Sequence, residues 1–87
     1  MQKEEYLNRI HADKDKIGMW HVMLGQNSKA DFDMGYYYNQ NSGMYDVYIN
    51  NERGSHRIRL STNDELMALN KLLSMIKCEI ESNRYLN

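Results

Sequence analysis

The sequence predicts an α+β domain: a short N-terminal helix, a four-stranded antiparallel meander sheet, and a long C-terminal helix packed on one sheet face. Three observations carry this. Apolar residues recur at helical spacing at both ends of the chain, four short segments rich in β-branched, aromatic and methionine residues lie between them, and clusters of Asn, Ser and Gly separate those segments.

Within 1–13, Tyr6, Leu7 and Ile10 stand at helical spacing among Lys, Glu, Asn and Arg, which predicts an amphipathic helix. Residues 17–24 are rich in large and branched apolar side chains and closed by Gly25, which predicts the first strand. A polar loop follows at 25–31, then a second strand at 32–38 that stops at the turn formers of 39–43. Residues 44–49 read as the third strand. The segment 50–54 reads as a tight hairpin with Gly54 at the positive-φ position, and 55–60 return as the fourth strand.

Thr62 and Glu65 stand at capping-box spacing, so Thr62 is expected to cap the C-terminal helix. Leu66, Leu69, Leu72, Leu73, Ile76 and Ile80 make its apolar stripe, and the tail 82–87 is expected to fray. No repeat, linker or low-complexity segment interrupts the chain, so 1–87 is expected to be one domain.

Side chains alternate across a strand, which directs Trp20, Val22, Leu24, Tyr45, Val47, Ile49, Ile58 and Leu60 toward that helix. The opposite face is expected to carry Met19, His21, Met23, Tyr36, Tyr38, Met44, Asp46, Tyr48, Arg57 and Arg59. Tyr, Met and Arg are enriched at interfaces, so this face reads as a recognition surface. The alternatives are a solvated face and a face covered by the first helix. On the recognition reading, Tyr48, Arg57 and Arg59 point outward and add little to the core.

The hydrophobic fraction of 41% suffices for a modest core at this length. A formal charge of -1 exerts no general attraction on nucleic-acid phosphates. Cys78 is the one cysteine, and neither a leader nor a long apolar run is present, so a reducing cytoplasm is the expected location. The lack of proline and the abundance of Asn, Lys, Ile, Met and Tyr fit an AT-rich bacterial or phage genome.

No residue set spells out catalysis. Cys78 falls within the helix pattern, and no serine has a nucleophile-elbow setting. His11, His21 and His56 lie on three different elements without metal-ligand spacing. The stretch 13–24 fails as a calcium loop because Ile17 and Leu24 occupy its fifth and twelfth positions. Asp31 and Asp33 read as a solvated turn, and no glycine-rich phosphate cradle exists. Neither catalytic residues, metal nor cofactor is expected, and the function is expected to be binding. Sheet aromatics beside Arg57 and Arg59 could stack single-stranded bases, but the aromatic-glycine motif of RNA-binding sheets is missing.

Trp20-His21-Val22, the run Tyr45-Asp46-Val47-Tyr48 leading into Glu52-Arg53-Gly54, and the acidic-start helix after Leu60 together span Met19 to Ile76. With these features the chain resembles the small immunity proteins of bacterial polymorphic-toxin systems. The resemblance implies stoichiometric inhibition of a co-produced protein toxin. Contacts would come from Tyr36, Tyr38, Tyr48, Arg57 and Arg59, or from the hairpin tip with Glu52 and Arg53. Immunity proteins against nucleases are often markedly acidic, and this chain departs from that pattern. Two other readings stand beside it: a phage-encoded inhibitor of a bacterial defence complex, similar in kind to anti-CRISPR proteins, and a small nucleic-acid-binding regulator.

Overall fold

In the computed structural model, which describes residues 2–51 and 55–86 and the side chains through residue 82, the first helix, α1, is Lys3–Asp13. Its start is held by the Glu5 carboxylate, which accepts the Gln2 backbone N–H at 3.2 Å. A single turn of 3₁₀-helix, Lys14–Lys16, follows. Gly18 then adopts φ 65, a left-handed conformation that glycine takes at little cost, and the Trp20 N–H closes back on the Ile17 carbonyl at 3.3 Å. This turn delays the first strand. β1 is His21–Leu24 and not 17–24, although Ile17 is still buried.

The sheet contains β1, β2 (Asp33–Asn39), β3 (Met44–Asn50) and β4 (His56–Thr62), in the spatial order β1-β2-β3-β4. β2–β3 and β3–β4 are antiparallel as expected. β1 and β2 are parallel, with His21 opposite Asp33 and Leu24 opposite Tyr36, so the sheet is mixed and not a pure meander.

Parallel neighbours ordinarily need a crossover of about a dozen residues or more. Here the eight residues 25–32 suffice because β1 has only four residues. At ~3.3 Å per residue the strand is about 13 Å long, and eight extended residues can reach about 26 Å. Gly35 makes the close pairing possible. A Cβ there would lie 2.1 Å from the Met23 carbonyl oxygen.

The β2–β3 hairpin turns on Asn39 and Gly43. The Asn39 side chain accepts the Asn41 N–H at 2.9 Å, and Gly43, at φ 71, donates its N–H to the Asn39 carbonyl at 2.8 Å. β4 carries a bulge: Val47 pairs with Leu60 but Tyr48 pairs with Ile58, leaving Arg59 as the inserted residue. The insertion reverses the phase of the strand's first half. Ile58, expected toward the helix, therefore shares the Tyr48 face and is 45% exposed.

The long helix, α2, is Glu65–Leu86. Its cap is Asp64 and not Thr62. The Asp64 side chain accepts the Leu66 N–H at 2.9 Å, and its carbonyl accepts from Ala68. Thr62 ends β4 and accepts the Asp64 N–H at 3.1 Å, two residues too early to cap. The helical backbone continues to Leu86, past the start of the tail expected to fray.

Both helices lie on one sheet face. α1 packs along α2, and Ile10, Ile17, Met34, Tyr36, Val47, Leu69, Leu72 and Ile76 join in one core. Burial of each large apolar side chain contributes about 1.5–3 kcal/mol. Trp20, Val22, Leu24 and Leu60 are partly buried at its margin.

Candidate functional site

The sheet face opposite the helices is covered around Tyr48 and Asn50 by the 25–32 crossover. Tyr48 and Asn50, two residues apart on that face, hold it. The Tyr48 hydroxyl donates to the Gln26 carbonyl at 2.7 Å and accepts the Ser28 N–H at 3.0 Å. Asn50 donates through Nδ2 to the Ser28 carbonyl at 2.7 Å and the Ala30 carbonyl at 3.0 Å. The Asn50 carbonyl takes the Phe32 N–H, holding Phe32 at the positive φ of 62 that a bulky side chain rarely adopts. His56 stacks on the Tyr48 ring and bonds the Asn50 side chain. Tyr48 is therefore fully buried. Its expected outward phase is right, but its exposure as a contact residue is not, because a distant segment lies over it.

Beyond the crossover the same face is a polar network around Asp46. Its carboxylate accepts from Ser61 Oγ at 2.6 Å, Asn39 Nδ2 at 3.0 Å and the Tyr37 hydroxyl at 3.3 Å. Burial pushes the Asp46 pKa up, but these hydrogen bonds outweigh it and hold the carboxyl below the usual value. Burial and the neighbouring Asp46 charge push the Tyr37 phenol up.

Tyr36 and Tyr38 were expected on this face but belong to the helix side, because β2 begins at Asp33 with Met34 opposite Ile49 and Tyr36 opposite Val47. Tyr36 is buried and donates to Glu65 Oε2 at 3.2 Å, the oxygen that also pairs with Lys3 Nζ at 3.2 Å. Burial first, and then Glu65, push its phenol up to about 12. Tyr38 is 52% exposed and packs edge-on against Tyr45.

Arg57 and Arg59 are exposed, but not beside Tyr48. Arg57 pairs with Ile49, a helix-side residue, and both arginines line a groove of about 260 Å³ between β4 and α2. Lys71, Ser74, Cys78 and Glu79 form its helix wall. Among the described residues, neither arginine is in an ion pair, and Glu79 closes none across the groove. Among the described residues the groove thus holds three cations against one carboxylate. Lys71, Ser74 and Cys78 were missed in the sequence. Their i, i+3, i+7 spacing marks one helix face, but only the β4 bulge brings the arginines to it. Glu52, Arg53 and Gly54, the last with its expected positive φ, lie outside the described residues.

The nearest approach to a catalytic grouping is Ser28, Asp33 and His21. Ser28 Oγ donates to Asp33 Oδ2, and His21 Nδ1 lies 3.6 Å from Asp33 Oδ1. The carboxylate takes the serine directly, and no hydrogen bond joins Ser28 to His21, so the arrangement staples the crossover to β2 without activating a nucleophile. Among the described residues, no group of three His, Cys, Asp or Glu could hold a metal ion, and no helix is long and apolar enough to cross a membrane. No family model, curated protein or solved structure matches the chain.

Proposed function

We propose that this protein works by binding a protein partner and not by catalysis, as a cytoplasmic inhibitor of the immunity-protein kind that masks a co-produced toxin. The observation that supports this reading is the exposed edge strand β4, which presents two arginines without ion-pair partners among the described residues beside a cationic groove. Desolvated arginines are frequent anchors at protein interfaces. The nucleic-acid alternative loses its best platform, since Tyr48 is buried under the crossover and offers no face for a base to stack on.

The test is photo-crosslinking in the source cell from a benzophenone amino acid in place of the exposed groove residue Ser74, which leaves both arginines intact, with mass spectrometry of the adduct. The reading expects a protein whose expression alone arrests growth, relieved in proportion to the amount of this chain. Recovery of nucleic acid, or of a captured protein that causes no growth arrest, would count against it.

A further inference from the structure

Which chemistry the partner brings can be read from the β4 edge. Among the described residues, β4 pairs with β3 on one side only. The Asn51 N–H bonds the Ser55 carbonyl at 2.9 Å, and bonded and non-bonded pairs alternate along an antiparallel ladder. His56 and Ile58, at the non-bonded pairs opposite Asn50 and Tyr48, therefore direct their N–H and C=O groups outward, where a further strand could take them. The bulge at Arg59 interrupts this regular edge and keeps the available stretch short.

The side chains bordering that stretch select the occupant. Arg57 and Arg59 stand on the groove side with Lys71, while Ile58 projects on the other face at 45% exposure. A second copy of this chain, paired antiparallel about Ile58, would set Arg57 against Arg59 of its neighbour, and like charges placed opposite are destabilising. The same cations favour carboxylates. The geometry points to a short extended segment of the partner protein that adds to the β4 edge, with acidic side chains facing the groove and apolar side chains alternating beside Ile58. This rests on the protein-binding reading above and specifies what that partner presents.

The probe is the synthetic peptide Thr-Glu-Val-Glu-Val-Glu-Thr, compared with analogues carrying Gln or Lys in place of Glu. Binding is followed by amide chemical shifts and hydrogen exchange of the intact chain. The acidic peptide is expected to shift and protect the His56 and Ile58 amides and to bind about tenfold more tightly than the Gln analogue at low salt. Arg57→Glu/Arg59→Glu should transfer the preference to the Lys analogue. Ile58→Pro removes only an outward N–H, which an edge strand tolerates, and should abolish binding with both arginines in place. Amide spectra of both variants establish that they are folded. Equal affinity for the three peptides, shifts confined to another surface, undiminished binding by folded Ile58→Pro, or no binding of the acidic peptide would each overturn the inference. If the cross-linked partner is still captured in that event, the protein-binding reading stands alone. Edge pairing with the peptide in a cell that yields no growth-arresting partner would uphold the inference about the edge and overturn the toxin reading.

Discussion

The hydroxyl of Tyr48 lies 2.7 Å from the carbonyl of Gln26, across a sequence gap of 22 residues, and this contact fastens the crossover to the sheet. Tyr48→Phe keeps the ring but leaves the Gln26 carbonyl and the Ser28 N–H without their partner. The expected cost is about 1–3 kcal/mol, with faster amide exchange at Ser28. Tyr48→Ala should cost about 3–5 kcal/mol, as for other buried aromatics. Denaturant midpoints check both. A Tyr48→Ala protein as stable as wild type would mean that the crossover does not cover the ring.

Gly35→Ala tests the parallel pairing. The added methyl would fall 2.1 Å from the backbone oxygen of Met23, which no side-chain rotation relieves, so β1 must move. A loss of roughly 1–3 kcal/mol is expected, with shift changes concentrated in His21–Leu24. Shift changes that leave β1 untouched would contradict the pairing.

Asp46 and Tyr36 predict the pH limits. The Asp46 pKa is lowered in the folded state, so its contribution is complete above the ordinary carboxyl range and is lost as pH falls through the folded value. Asp46→Asn should flatten the acid limb of the stability curve. The Tyr36 pKa is raised from 10.0 to about 12, so its contribution is complete below 10.0 and disappears as pH climbs toward 12. Tyr36→Phe should remove that part of the alkaline loss. Urea titrations across pH distinguish the two limbs, and an unchanged acid limb in Asp46→Asn would remove the carboxylate from the account.

Asp64→Ala should destabilise α2 by about 0.5–2 kcal/mol through loss of its N-cap bond to Leu66. Thr62→Ala removes a bond to the Asp64 N–H instead, at a residue outside the helix. Helix-start amides from Leu66 onward should exchange faster in the first variant than in the second. The reverse order would restore Thr62 as the cap.

Local pattern made both helices, the hairpin at 39–43 and the inward phase of Val22, Leu24, Tyr45, Val47 and Leu60 legible in the sequence. The departures have non-local or single-residue causes. The polar run 25–31 reads correctly as loop, but nothing within it says that Tyr48 and Asn50 will hold it across the sheet, so the parallel pairing was hidden. The wrong phase for 32–38 exchanges Tyr37 with Tyr36 and Tyr38, because three consecutive tyrosines satisfy either alternation. Arg57 was misplaced for a different reason. One inserted residue at the bulge turns the strand's first half over, and the alternation of Arg and apolar residues in 57–60 does not betray it.

The crossover also bears on the order in which the chain assembles. β2, β3 and β4 are joined by close connections and can pair from local contacts, whereas β1 needs the β2 edge to exist and its return path needs Tyr48 and Asn50 already in place on β3. Contacts that close long loops form late when shorter ones are available. β1 is thus expected to dock last during refolding and to open first from the native state, so that pulse-labelled amides of Val22, Met23 and Leu24 gain protection after those of Tyr36 and Val47. The strand nearest the N-terminus in the sheet would then be its final addition, and the early ensemble would be a three-stranded sheet with the Tyr48 ring still open to solvent.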